Sequence, residues 1–279
     1  MENVIISNPN NFNQIKAEIL KKGINDLFLI TDFGKTLTQI TPKAKSSIES
    51  ILRSQKYLPK EFNKQENALL KIYYPIETNP NIPLNEKIKS MKKWWEKSSN
   101  LLVKFKFNKQ ILNQIINLDK IKFRLKVPET LKFLNKNKIP LIILSANYLG
   151  SESLNKCLRF KNILFPNIHM ISNEYEWDEN GTAIKYIKPS IHPFNKNGTS
   201  IKKESTLKAI KNRKNIILLG DSLDDVKMIK GFKYKNLLKI GFLNSNIETN
   251  LEEYKKHFDI IIINNSSMDF VYNLLKELK

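Results

Sequence analysis

The sequence predicts an α/β protein, a doubly wound parallel sheet interrupted by a helical insertion. Three observations carry that expectation. Short apolar runs alternate with amphipathic ones, the pattern of strands buried on both faces and the helices that cover them. Two of the runs end on acids, Leu27-Phe-Leu-Ile-Thr-Asp32 and Ile216-Ile-Leu-Leu-Gly-Asp221. Open α/β sheets place their ligands at such carboxyl strand ends. Finally, from Pro42 to about Leu118, strand signals fade and long polar–apolar helical patterns rich in Lys, Trp and Phe take over.

In chain order, helical periodicity spans Asn11 to Lys22 and is closed by Gly23, and Leu27 to Ile30 follows as a buried strand. After the insertion, Pro128–Lys136 reads as helix, Pro140–Leu144 as strand, Ser151–Phe160 as helix and Ile168–Ser172 as a short strand. The acidic turn Glu176-Trp-Asp-Glu-Asn-Gly181 leads to a short strand from Ala183 to Ile187, a hairpin signal. Helix Lys202–Lys211, strand Asn215–Leu219, helix Asp224–Ile229 and strand Leu237–Ile240 continue the alternation. A helix near Ile247–His257, strand Ile260–Ile263 and a helix from Met268 close it. The expected division is a core of residues 1–41 and 120–279 with a lid of residues 42–119.

Composition narrows the function classes. With 41% apolar and 27% charged residues, the chain can build a core and remain soluble, and it has no apolar run long enough to span a membrane. The N-terminus, Met1-Glu-Asn-Val-Ile, lacks the features of a signal peptide. Cys157 stands alone and fits a reducing, cytoplasmic compartment as a buried filler. The net charge of +20 invites a nucleic-acid reading, but arginine occurs only at 53, 124, 159 and 213 and the lysines are dispersed. No specific nucleic-acid partner is expected.

The chemistry concentrates at strand ends. Asp32 follows an apolar run, where an acid serves either as a turn residue or as a nucleophile toward phosphorus. Ser145 ends the run Leu141-Ile-Ile-Leu144, with Ala146 and Asn147 after it; a hydroxyl and backbone N–H groups there can hold phosphoryl oxygens. Lys196 sits in the loop His192-Pro-Phe-Asn-Lys196 and could bridge a nucleophile and a phosphate. In Gly220-Asp221-Ser222, Asp221 can ligate Mg²⁺, while Asp225 can orient it or a bound water. Thr36 belongs to the first acidic turn.

This ordered set of acid, hydroxyl, lysine and paired acids resembles the haloacid dehalogenase (HAD) superfamily. Within it, the chain resembles the cytosolic pyrimidine 5′-nucleotidases (cytosolic 5′-nucleotidase III). Stretches that carry the likeness include Ile30-Thr-Asp-Phe33, Tyr73-Tyr-Pro-Ile-Glu77, Trp94 to Val103, Ser145-Ala-Asn147, Phe165-Pro-Asn167 and Ile171-Ser-Asn173. Phe194-Asn-Lys196, Ile216 to Ser222 and Leu238 to Asn244 extend it along nearly the whole chain. The resemblance implies a Rossmann-like HAD core with a helical cap, and a cytoplasmic, Mg²⁺-dependent phosphatase expected to be monomeric. It implies a nucleoside 5′-monophosphate substrate of pyrimidine or 7-methylguanosine type.

By the same resemblance Asp32 is the nucleophile and Lys196 its partner. Thr36, Ser145, Ala146, Asn147 and Lys196 hold the phosphate, and Asp32, the carbonyl of Gly34, Asp221 and Asp225 form the metal site. Glu77, Trp95, Ser98 and Ser99 fall where the family reads the nucleoside, and Trp94 or Trp95 offers an aromatic surface or lid core.

One position departs from the pattern. The family carries an acid two residues after the nucleophile, to protonate the leaving oxygen and then activate water, and here that residue is Gly34. Such help contributes about 10²–10⁴-fold. Three consequences stand open at this stage: slow turnover, a substrate whose leaving group needs no proton, or a nucleotide-binding protein that no longer catalyses.

Overall fold

The computed structural model describes residues 3–40, 47–54 and 56–279; the expected boundary between 41 and 42 lies outside them. The strands are β1 (Val4–Ile6), β2 (Leu27–Thr31), β3 (Leu141–Leu144), β4 (Ile168–Ile171), β5 (Glu174–Trp177), β6 (Ala183–Ile187), β7 (Asn215–Gly220), β8 (Asn236–Leu243) and β9 (Ile260–Ile263). The helices are α1 (Pro9–Lys22), α2 (Ile48–Ser54), α3 (Lys60–Thr78), α4 (Leu84–Lys104), α5 (Lys109–Asn117), α6 (Val127–Lys136), α7 (Ser151–Phe160), α8 (Glu204–Ile210), α9 (Ile247–His257) and α10 (Asp269–Glu277).

Seven strands form one sheet in the order β1-β9-β8-β7-β2-β3-β4, parallel except for β1, which pairs antiparallel with β9 at the edge. Every residue of β2, β3 and β7 is buried, as a sheet covered on both faces requires. Side chains alternate across the pleat. Leu27 and Leu29 accordingly join one apolar cluster, and Phe28 and Ile30 join the other. The first cluster also takes in Phe62, Met91 and Leu102 from the insertion.

The expected helix over Asp224–Ile229 is instead a 3-10 segment, Leu223–Ile229. Its first turn is tied by the Asp225 carboxylate, whose Oδ2 accepts the N–H groups of Asp221 and Ser222 at 2.9 and 3.0 Å. Strand β1 was not expected, since three apolar residues are too few to show a period. It adds one antiparallel edge pair to the otherwise parallel central sheet that was expected.

Between β2 and β3 the described chain is helical from α2 to α5. Asn8 and Asn108 cap α1 and α5 by accepting the Asn11 and Ile111 N–H groups. The β5–β6 hairpin forms a separate two-stranded sheet. It is tied to the insertion by backbone bonds, Ala183 N–H to Phe107 O at 2.8 Å and Lys109 N–H to Gly181 O at 2.9 Å.

What matters for the site is adjacency. Parallel register places Thr31 beside Leu219 of β7 and Ile143 of β3. Asp32, Asp221 and Ser145 therefore emerge from three neighbouring strands at one sheet edge.

Candidate active site

A cavity of about 550 Å³ lies over that edge. Asp32, Gly34, Ser145, Lys196, Asp221 and Asp225 line it from the sheet side; Glu77, Trp94 and Trp95 line it from the helical insertion. Sequence order thus separates by as many as 193 positions groups that the fold collects in one space.

Lys196 is the centre of the electrostatics. Its Nζ lies 2.6 Å from Asp32 Oδ1 and 2.5 Å from Asp225 Oδ1, and all three residues are buried. Burial works against the ammonium, but the two carboxylates outweigh it and hold its pKa above the ordinary lysine value. Burial raises Asp32 to about 6, against the opposing pull of Lys196. Asp221 is driven further, to about 8, first by burial and then by the charges of Asp225 and Asp32. Two buried acids thus share one buried lysine, with the half-buried Asp221 beside them.

Several contacts fix these groups in place. Asp221 meets the Thr36 hydroxyl at 3.3 Å, and Tyr254 Oη donates to the Asp221 carbonyl at 2.5 Å. Gly220 is required by close approach: a Cβ there would sit 2.4 Å from Asp225 Cβ. Arg124 is the support that sequence reasoning missed. It is 1% exposed, donates to the carbonyls of Thr36 and Ser266 at 2.8 and 2.6 Å, and also binds Lys35 O and Asn244 Oδ1. It thereby pins the turn after Asp32, where Lys35 takes a left-handed φ of 57°. The stretch Leu238–Asn244, which carried the likeness without evident chemistry, thus contributes Asn244 to that turn.

The Ser145 side shows a similar build. Ser145 is buried, and its Oγ accepts the Asn147 N–H at 3.3 Å. Trp95 Nε1 donates to the Ala146 carbonyl at 2.5 Å, joining the insertion to this loop. Trp94 stacks on Tyr73, with centroids 5.9 Å apart, and meets Trp95 edge-on. Both tryptophans are therefore core of the insertion and cavity wall at once. Burial raises the pKa of Glu77, with Lys35 and Lys87 pulling the other way.

Ser98 and Ser99 do not reach the cavity. Both are fully buried, and the Ser98 hydroxyl turns to Glu66 Oε1 at 3.0 Å. Sequence reasoning also missed Glu49, Arg53, Tyr74, Lys87 and Tyr148, all cavity-lining. The four-residue spacing of Glu49 and Arg53 on a short helix was the one available signal.

The metal assignment can be weighed on charge and donor type. Asp32, buried, and Asp221, half-buried, are oxygen donors held at raised pKa, with Lys196 already occupied by Asp32 and Asp225. Carboxylate oxygen donors of this kind suit a hard divalent cation. Among the described residues no group of three or more His, Cys, Asp or Glu is poised around one point.

A family model described as pyrimidine 5′-nucleotidase (UMPH-1) matches residues 35–279. The chain belongs to that family. Its relatives include the 7-methylguanosine phosphate-specific 5′-nucleotidase of Homo sapiens, 32% identical over 278 residues, covering 99% of this chain and 92% of the relative. The enzyme of the same description from Drosophila melanogaster is 31% identical over 272 residues, covering 96% and 84%. Among solved structures, cytosolic 5′-nucleotidase IIIB bound to cytidine superimposes with a TM-score of 0.91 at 29% identity, over 100% of this chain and 94% of that one. A phosphoserine phosphohydrolase-like protein from Francisella tularensis shares the fold alone, at a TM-score of 0.52 and 18% identity over 90% and 98% of the two chains. The family is one of phosphoric monoester hydrolases, and the α/β architecture is that of HAD-like phosphatases. No helix among the described residues is long and apolar enough to cross a membrane.

Proposed function

We propose that this family member is a Mg²⁺-dependent 5′-nucleotidase that works through an aspartyl-phosphate on Asp32, slowly because residue 34 is glycine. The observation that carries the reading is the buried Asp32–Lys196–Asp225 bridge on the floor of a roughly nucleotide-sized cavity. The substrate class is a nucleoside 5′-monophosphate of pyrimidine or 7-methylguanosine type, by analogy with the relatives named above. We further propose a monomer acting in the cytosol, with the helical insertion serving as its lid.

The residues divide the work as follows. Lys196 holds Asp32 in place and stabilises its ionised form, the form that attacks phosphorus. Ser145 Oγ and the backbone N–H groups of the 145–147 loop receive the phosphoryl oxygens, with Thr36 beside Asp221. Asp32, Asp221 and the Gly34 carbonyl would hold Mg²⁺, supported by Asp225; the cation supplies charge neutralisation at the phosphoryl group. Attack by Asp32 Oδ forms the new O–P bond and breaks the ester bond to the ribose oxygen. With no acid at position 34, that oxygen must take its proton from solvent, and water must attack the acyl-phosphate without a positioned base.

A panel of nucleoside 5′-monophosphates tests this reading through phosphate release with Mg²⁺, wild type beside Asp32→Asn. Release from at least one nucleotide, lost in the variant, is expected. Equal release from both proteins would contradict it.

Metal binding gives a second prediction, with a defined pH sign. Both acids have folded pKa values, about 6 and about 8, above the ordinary 3.8. Their contribution to metal-free stability is full below about pH 4 and is lost as pH rises through those folded values. Mg²⁺ competes with the same protons, so its stabilising effect will grow with pH. Melting with and without Mg²⁺ is expected to show a larger upward shift at pH 8.5 than at pH 5.5, strongly reduced in Asp221→Asn. An equal shift in variant and wild type would remove Asp221 from the metal site.

A further inference from the structure

The loop after β3 is held from two directions. On one side, Asn173 Nδ2 donates to the carbonyls of Ala146 and Asn147 at 3.3 and 3.0 Å. Ser172 Oγ also reaches Asn147 O, at 3.2 Å, and Tyr175 Oη donates to Tyr148 O at 2.6 Å. These donors lie on β5 and the turn before it. On the other side stands the helical insertion. Trp95 Nε1, on α4, donates to Ala146 O at 2.5 Å, and its ring meets that of Tyr148 edge-on, with centroids 6.4 Å apart. The peptide bonds of this loop are trans, so each held carbonyl also fixes the direction of the N–H that follows it. Side chains therefore aim the amides of this loop, and one of those side chains belongs to the insertion.

Tyr148 makes the second tie to the insertion. Its Oη accepts from Arg53 Nη1 of α2 at 3.0 Å and donates to Glu66 Oε1 of α3 at 2.9 Å. Ser98 Oγ of α4 donates to the same carboxylate oxygen at 3.0 Å. Glu66 is 0% exposed and Tyr148 5%. A phenol has one proton to give, and burial keeps it in place by raising the Tyr148 pKa well above the usual value. The donor from Arg53 polarises the hydroxyl and strengthens its bond to Glu66, as in other hydrogen-bond chains of a low-dielectric interior. This relay starts on the 145–148 loop and ends inside the insertion, and the mechanism above gives none of its three residues a task.

We propose that Tyr148 is a positioning residue through which the helical insertion sets the shape of the loop that receives the phosphoryl group. The proposal rests on the nucleotidase reading, which gives that loop its task. Packing of the insertion on the loop and binding of phosphate to it favour the same loop conformation, so each strengthens the other by the same factor. Phosphate will therefore steady the insertion as well as the loop. Loosening the Tyr148 tie will weaken phosphate binding, although the hydroxyl itself is committed to Arg53 and Glu66.

Calorimetry and hydrogen exchange with inorganic phosphate and Mg²⁺, which need no turnover, test this. In wild type, phosphate is expected to slow exchange in α2 and α3. Tyr148→Phe keeps the ring against Trp95 and removes only the hydroxyl. It is expected to lose about 10-fold in phosphate affinity, within the usual range for coupling between sites, and to lose the slowing in α2 and α3. Glu66→Leu breaks the tie from its other end, and the double variant is expected to bind phosphate no more weakly than either single one. Glu66→Gln, which keeps an acceptor oxygen for Tyr148, is expected to stay close to wild type. A tie that only stabilised the fold would lower the Tm of Tyr148→Phe and leave its phosphate affinity and phosphate-dependent exchange unchanged; that result would overturn the proposal. So would losses that add in the double variant. Wild type that binds neither phosphate nor a nucleoside monophosphate would instead overturn the nucleotidase reading, and the role given to Tyr148 with it.

Discussion

Lys196→Met will destabilise the protein by about 3–5 kcal/mol and abolish phosphate release, the largest effect expected of any single substitution in the site. The variant keeps most of the side-chain volume but leaves Asp32 and Asp225 buried without the charge that both now share at 2.6 and 2.5 Å. A loss of that size in a domain of this length corresponds to a fall in Tm on the order of 10 °C. The orphaned acids will take up protons, so the destabilisation will be worst at high pH and partly relieved at low pH. Adding Asp225→Asn will recover part of the stability and none of the activity. Melting curves of the three proteins at two pH values check this. A Lys196→Met variant as stable as wild type at pH 8 would mean that the bridge does not hold the site together.

Gly34→Asp carries the second large effect, in the opposite direction. A Cβ built at Gly34 meets one atom outside its neighbours, Asp32 Oδ2 at 3.9 Å, and the backbone there is not in the left-handed region. The Cβ of an aspartate therefore finds open space there, beside the proposed nucleophile whose leaving group it would protonate. Turnover is expected to rise by up to about 10²–10⁴-fold, the contribution of a positioned acid–base group. The control is the double variant Asp32→Asn/Gly34→Asp under saturating Mg²⁺. If Gly34→Asp stays as inactive as that control on every nucleotide that wild type binds, the chain is a nucleotide-binding protein and not a phosphatase.

Much of this arrangement was legible in the sequence because strand ends announce themselves. Four apolar residues before Asp32, Ser145 and Asp221 place each side chain at a carboxyl edge, and the order of the motifs brought in Lys196. The lone cysteine reads correctly as filler: Cys157 is buried, and burial lifts its thiol to about 12. What escaped is tertiary. Arg124 reaches its partners across 88 to 142 positions in sequence, and nothing local marks it as the clamp of the Asp32 turn. The Arg53–Tyr148–Glu66 relay joins α2, α3 and the loop after β3, three segments whose approach no periodicity reveals. Ser98 and Ser99 were assigned by resemblance, and helical phase alone could not tell that they face inward. The β1 edge strand was too short for a two-residue period to register.

The most direct measurement is of the acyl-phosphate itself. Wild-type protein is mixed with Mg²⁺ and a nucleoside 5′-monophosphate bearing a labelled phosphate, quenched in acid, and digested to locate the label. On the proposed mechanism, hydrolysis of the intermediate without a base at position 34 is expected to be slow, so label is expected on the peptide containing Asp32. It is expected to be absent from Asp32→Asn and to drain faster from Gly34→Asp. Phosphate release from wild type with no label on Asp32, or label that persists in Asp32→Asn, would contradict Asp32 as the nucleophile and the account built on it.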